Sequence, residues 1–111
     1  MMIFKILRES EFSYLEKNKT SLGSEDDKRD GFIHFSTAEQ LEDTLQRFFC
    51  DECKLILLAI DSKIFKEELK WEIARHNQSF PHLYGQLNLD HASWVAPIEL
   101  DGETHILPPA F

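Results

Sequence analysis

The chain has 111 residues, with 12 Lys and Arg against 20 Asp and Glu, so its formal net charge is −8. This length predicts a single domain over residues 1–111, which buries about two-thirds of its unfolded surface. The acidic balance argues against extensive nucleic-acid binding, because such binding depends on Lys and Arg meeting phosphates over a wide face.

The first third of the chain predicts a strand, a helix and a loop. Residues 2–7 are apolar apart from Lys5, as in a buried strand, and Ser10 can cap a short helix over residues 11–17. Residues 18–31 are polar and charged, which predicts a long loop. A second short strand is then expected at residues 32–35.

The clearest helix begins at Ser36 and Thr37. Both residues fit the capping box, in which a hydroxyl and the side chain three residues later satisfy backbone N–H groups reciprocally. Apolar residues follow at helical spacing, which predicts one buried stripe. The stripe consists of Leu41, Leu45, Phe48 and Phe49.

The second half of the chain predicts mostly strands. The expected elements are a central strand (54–60), a turn or short helix (61–69), a strand (70–74), an irregular stretch (75–89) and two strands (93–100 and 104–107). Pro97 places the longer of the last two at a sheet edge or bulge. Two or three helices among five or six strands, without regular alternation, favour an α+β fold of small, mostly antiparallel sheets.

The N-terminal segment and the apolar runs predict a cytoplasmic protein. Lys5 interrupts the first apolar run, whereas a secretory signal needs about 7–15 unbroken apolar residues. The longest apolar run covers residues 55–60, far below the ~20 residues that cross a membrane. We therefore expect no membrane partner.

Cys50 and Cys53 form a Cys-Asp-Glu-Cys motif. A redox pair needs a thiolate favoured by a helix N-terminus or a cation, and here two acidic residues separate the thiols at a predicted helix end. A second cysteine pair that could complete a zinc site is absent from the sequence. We interpret these thiols as structural or incidental rather than as a redox or metal-binding pair.

Two segments combine histidine with other polar or aromatic groups. His34 and Ser36 share one face of the predicted strand, and the helix start beyond them offers N–H groups to an anion. His82 and Tyr84 share a face if Pro-His-Leu-Tyr-Gly is extended, so that the tyrosine ring could stack on a flat ligand. In the alternative interpretation, these residues only complete a strand, a helix cap and an ordered loop.

Glu72 is a third candidate. It follows Trp71 in a predicted strand, so the carboxylate faces outward if the indole packs inward. Its ordinary role would be a solvated carboxylate, and the alternative is a catalytic one. His34 and His82 lie 48 positions apart, which is not a metal-ligand spacing, and we predict no metal site.

The chain resembles a small bacterial family known as domain of unknown function 952. The matching segments are residues 3–6, 30–40, 60–61, 69–72 and 80–85. Gln86 departs from the proline expected after Tyr-Gly. The family is similar to the ADP-ribosyltransferase-like fold group, whose members bind NAD in a cleft between two small sheets.

The resemblance implies a nucleotide-binding site with NAD as substrate and without a built-in cofactor. Possible chemistry is ADP-ribosyl transfer or NAD glycohydrolysis, and the group's glutamate would be Glu72 or Glu103. The implied catalytic residues are His34, His82 and Glu72, and the implied ligand-binding residues are Ser36, Thr37, Tyr84 and Lys5. The alternative function is a non-catalytic ligand-binding or interaction module on the same fold.

Overall fold

Helices and strands alternate irregularly along residues 1–109, the part of the chain that the computed structural model describes. The α-helices are α1 (Glu9–Asn18), α2 (Glu25–Asp30) and α3 (Leu41–Phe48). The strands are β1 (Met2–Leu7), β2 (Thr20–Ser21), β3 (Ile33–His34), β4 (Leu55–Asp61), β5 (Leu69–Ile73), β6 (Ser79–Leu83), β7 (Leu87–Asn88), β8 (Ala92–Asp101) and β9 (Thr104–Ile106). Short 3-10 segments cover Ala38–Gln40, Ser62–Glu68, Arg75–Asn77 and Leu89–His91.

Two antiparallel sheets form the frame of the molecule. One contains four strands in the order β1-β4-β8-β9, and the other contains three in the order β3-β6-β5. A small third sheet pairs β2 with β7. The two larger sheets meet where Phe4 and Ser36 exchange backbone hydrogen bonds of 2.9 Å. The predicted α+β class is therefore confirmed.

Strands β1 and β4 of the four-stranded sheet are buried on both faces, which explains their continuous apolarity. One face packs into a core with Leu15 of α1 and with Ile33 and Leu83 of the three-stranded sheet. The other face packs against Leu41 and Leu45 of α3. Burying each such side chain contributes about 1.5–3 kcal/mol relative to exposure.

The N-terminal half differs from the sequence prediction in two places. Helix α1 begins at Glu9 with Arg8 as its cap, so Ser10 is not the cap. The Arg8 N–H instead donates to the Glu11 carboxylate (2.8 Å), which lets the helix begin two residues earlier than expected. The predicted loop at 18–31 contains β2 and α2, and α2 begins after Ser24, whose hydroxyl accepts from the Asp27 N–H (3.2 Å).

The second half also contains more structure than expected. The stretch predicted to be irregular, residues 75–89, contains β6 and β7. Strand β6 runs through the middle of its sheet despite Pro81, because that residue contributes only its carbonyl, which accepts from the Phe35 N–H (3.0 Å). Phe48 is 52% exposed rather than part of a buried stripe. Within residues 1–109, no helix has the length and apolarity needed to cross a bilayer.

Candidate functional site

A cleft of about 250 Å³ lies between the two larger sheets, with walls from β1, β3 and β6. Four basic and four acidic side chains line it, so its charge is nearly balanced although the whole chain carries −8. An anionic ligand therefore meets less repulsion in the cleft than elsewhere on the surface. The charged lining residues are Lys5, Arg8, Glu11, Asp26, Asp27, Arg29, Asp30 and Arg75.

Asp27 lies buried at the base of this cleft and accepts four hydrogen bonds. Its Oδ2 accepts from the Lys5 ammonium (2.7 Å) and the Ser24 N–H (2.9 Å), and its Oδ1 lies 3.1 Å from the His34 N–H and 2.5 Å from His34 Nδ1. Burial by itself would raise the pKa of Asp27, but His34, Lys5 and the Ser24 N–H together hold it well below its ordinary value. Asp27 is therefore an anchor that is ionised at neutral pH.

His34 lies between two carboxylates. Its Nδ1 faces Asp27, and its Nε2 lies 3.1 Å from Oδ2 of Asp30. Both ring nitrogens of His34 therefore face carboxylate oxygens. The side chain is 39% exposed and lines the cleft, which leaves it accessible to a ligand.

A second carboxylate–imidazole pair forms on the three-stranded sheet. Oε1 of Glu72 lies 2.7 Å from Nδ1 of His82 and also accepts a 2.7 Å hydrogen bond from the Tyr84 hydroxyl. These bonds, that of Tyr84 first, lower the pKa of Glu72, and the carboxylate raises the pKa of Tyr84. The Lys70 ammonium lies 5.0 Å from the centre of the Tyr84 ring.

The sheet register brings these residues together. His34 lies directly opposite His82, and Glu72 lies on the same face, two positions from the residue opposite His82 on β5. Tyr84 follows the last residue of β6 and reaches the same Glu72 oxygen. Phe32 contacts three of these rings, with centroid distances of 4.6 Å to His34, 4.1 Å to His82 and 5.2 Å to Tyr84. We call His34, Glu72, His82 and Tyr84, joined through Phe32, the ring cluster.

Trp71 and Glu72 point to opposite faces of β5, as predicted. The prediction that Trp71 is buried and Glu72 solvated is wrong. Trp71 is 43% exposed because β5 is an edge strand, and Glu72 is hydrogen-bonded within the ring cluster rather than simply solvated. The edge position explains why an indole that alternation assigned to the core reaches solvent.

The residues predicted to contact a ligand's phosphates are mostly engaged by the protein itself. Lys5 is buried and also donates to the His34 carbonyl (3.1 Å). The Ser36 hydroxyl lines the cleft and lies 3.2 Å from the Thr44 hydroxyl. Thr37 is buried, and its N–H donates to the Gln40 side chain (3.0 Å).

Sequence reasoning missed Asp27 and Arg75. The Arg75 guanidinium stacks on Phe48 (4.8 Å) and Phe80 (4.7 Å) and donates to the Thr44 hydroxyl (2.9 Å). The pattern Ser-x-x-Asp at residue 24 was the available signal for Asp27, and Arg75 is the last cation of the chain. Among residues 1–109, no three His, Cys, Asp or Glu side chains are grouped as a metal site requires.

Comparisons with known proteins place the chain in a family. The family model described as protein of unknown function (DUF952) matches residues 6–95, so the chain belongs to this family. The crystal structure of protein CC0527 from Caulobacter crescentus is 36% identical, with a TM-score of 0.89 over 93% of this chain and 90% of that one. The solution NMR structure of CC0527 gives a TM-score of 0.83 over 94% and 90%. A search of curated proteins finds no match.

Proposed function

We propose that this member of the DUF952 family binds NAD or a similar nucleotide in the cleft and cleaves the bond between ribose and nicotinamide. The ADP-ribosyl group would pass to water or to an acceptor. The observation that carries the proposal is the convergence of His34, Glu72, His82 and Tyr84 in one cluster that shares His34 with the cleft. The position of the cleft between two small sheets also agrees with the binding mode that the resemblance implies.

The ring cluster has the groups that this cleavage needs. As the glycosidic bond breaks, nicotinamide leaves with the electron pair and positive charge develops on the ribose. The Glu72 carboxylate, held ionised by Tyr84 and His82, stabilises that charge by placement alone. The oxygen of water then forms the new bond to ribose, and its proton passes to Nε2 of His82, which makes no hydrogen bond within residues 1–109.

The other end of the cleft suits the phosphates. The Arg75 guanidinium donates from one terminal nitrogen to Thr44 and its Nε lies 3.5 Å from the Asp43 carboxylate, so its other terminal N–H groups can meet a phosphate. The Ser36 hydroxyl lies beside the same threonine. Both residues line the cleft with His34, whose Nε2 would exchange the Asp30 carboxylate for the ribose or the nicotinamide amide. Lys5 acts through Asp27, by fixing the orientation of the His34 ring.

A non-catalytic binding module is the second candidate, and one observation favours it. Oε1 of Glu72 already accepts from both His82 and Tyr84, so much of the capacity of this carboxylate is used inside the protein. Such a module would bind the nucleotide and leave it intact.

The test is a calorimetric titration of the purified protein with NAD, NADP and ADP-ribose, combined with chromatographic detection of released nicotinamide. We expect binding below about 1 mM, a roughly tenfold loss of affinity in His34→Ala, and a loss of release of about 100-fold in Glu72→Gln. Glu99→Gln, an exposed carboxylate on β8, is the matched control and should behave as the wild type.

Each outcome decides between the candidates. Binding without nicotinamide release would reject the enzyme and support the binding module. No binding of any of the three nucleotides at about 1 mM would reject both. Equal release by Glu72→Gln and Glu99→Gln would remove Glu72 from the reaction.

A further inference from the structure

Strand β5 forms an open edge of the three-stranded sheet. It pairs only with β6, and its residues make no backbone hydrogen bond to any other part of residues 1–109. One of its faces carries Leu69, which packs against the core, and then Trp71, 43% exposed, and Ile73, 67% exposed. Edge strands are usually protected by proline, a bulge, short length or charged side chains. Leu-Lys-Trp-Glu-Ile has no proline, and its two charged side chains, Lys70 and Glu72, lie on the face opposite Trp71.

The hydrogen bonds at both ends of β5 show which backbone groups point outward. The Tyr84 N–H donates to the Glu68 carbonyl (2.7 Å), and the Ala74 N–H donates to the Gln78 carbonyl (2.8 Å). Antiparallel pairs alternate between bonded and non-bonded, so the even-numbered residues of β5 bond to β6. The backbone groups of Leu69, Trp71 and Ile73 therefore face the open edge.

We propose that two copies of this chain pair through β5, antiparallel and centred on Trp71. In that register Trp71 lies opposite Trp71 of the second copy. Leu69 of each copy lies opposite Ile73 of the other, which gives two further pairs. These three pairs are bonded pairs, each exchanging two hydrogen bonds, so every outward backbone group of the strand is satisfied. The proposal does not depend on the proposed function.

The side chains are self-complementary in the same register. On one face Leu69, Trp71 and Ile73 meet their counterparts and form one apolar cluster. On the other face Lys70 lies opposite Glu72 of the second copy, in a non-bonded pair where side chains approach most closely. A shift of the register by two residues would leave these charges unmatched.

The pairing also reaches the ring cluster. Glu72 uses Oε1 for His82 and Tyr84, and its Oε2 has no hydrogen-bond partner among the described residues. Lys70 of the second copy would supply a cation to that oxygen. An interface formed by one short strand per copy is small, so the dimer is expected to be weak and reversible, with a Kd on the order of micromolar.

Sedimentation equilibrium of the full chain over a range of concentrations tests the pairing. The wild type should shift from 13.0 kDa towards twice that mass as concentration rises. Ile73→Lys should raise the Kd at least about tenfold, because it places a charge in the apolar cluster. The matched control is Ile106→Lys, since Ile106 is 48% exposed on β9, one of the two edge strands of the four-stranded sheet.

Charge exchange tests the register. Lys70→Glu and Glu72→Lys should each be monomeric, because like charges then face each other, and an equimolar mixture of the two should recover the dimer. A wild type that stays monomeric up to about 1 mM would overturn the proposal. So would equal effects of Ile73→Lys and Ile106→Lys, or a mixture that remains monomeric although circular dichroism shows both variants folded.

Discussion

The two carboxylate–imidazole pairs of this protein differ in which partner is buried. In the first, the Asp27 side chain is 1% exposed and its partner His34 is 39% exposed. In the second, the Glu72 side chain is 39% exposed and its partner His82 is 8% exposed. The distances are similar, 2.5 and 2.7 Å, so the pairs differ mainly in which partner meets solvent.

This difference in burial indicates different roles for the two pairs. A buried carboxylate must be compensated from all sides, and Asp27 is bound by Lys5, His34 and Ser24. An exposed carboxylate costs little to keep charged and can meet a ligand. Asp27 therefore anchors α2 to β1 and orients His34, whereas Glu72 presents its charge outward.

The largest effect is expected from Asp27→Asn. It leaves the Lys5 ammonium buried without its anion, which should cost about 3–5 kcal/mol of unfolding free energy. Urea denaturation measures this loss. Asp26→Asn, at a neighbouring position that is 67% exposed, is the control and should change stability by less than about 0.5 kcal/mol. Equal losses in the two variants would contradict the anchor.

Lowering the pH should weaken the stabilisation that Asp27 provides. Because the folded-state pKa of Asp27 lies below its unfolded value, the stabilisation is complete above the unfolded pKa of about 3.9 and is lost as pH falls towards the folded one. Unfolding free energies measured from about pH 6 to pH 3 should fall more steeply for the wild type than for Asp27→Asn. Parallel curves would show that Asp27 does not titrate as described.

The sequence predicted the elements that can be identified from their own apolar pattern, without knowledge of distant contacts. Strands β1 and β4 and the helix after Ser36 were recognisable because their side chains pack locally or on both faces. Helix α2 was missed because all of its residues, 25–30, are charged and its support comes from Lys5, a residue on a distant strand. Strand β6 was missed because its pairing with β3 and β5 outweighs its proline.

The candidate site was partly predictable for the same reason. Alternation along an extended segment placed His82 and Tyr84 on one face, and in the structure both contact the same oxygen of Glu72. The meeting of that face with His34 depends on the sheet register, and the role of Asp27 depends on a contact between residues 22 positions apart. Neither the sheet register nor this long-range contact can be predicted from a single sequence.

Gly23→Ala should have the next largest effect and tests the same anchor from its other side. Gly23 has φ of +90°, and a Cβ there would collide with the Asp27 carboxylate. Gly31→Ala is the matched control, since Gly31 has φ of +85° with open space around it. Both variants should lose about 1–2 kcal/mol through the positive φ, and Gly23→Ala should lose more. Equal losses in urea would mean that Asp27 moves aside freely.

The smallest effect is expected at the exposed pair, in Tyr84→Phe. This change removes the hydrogen bond that contributes most to lowering the pKa of Glu72, so that pKa should rise towards its ordinary value as measured by NMR titration of the side-chain carboxyl. The midpoint of urea unfolding should stay unchanged, because Glu72 and Tyr84 are solvent-accessible. Tyr14→Phe, at another exposed tyrosine, is the control and should leave the pKa of Glu72 as it is. A large loss of stability in Tyr84→Phe would show that the exposed pair anchors the fold as Asp27 does, and the contrast between the two pairs would disappear.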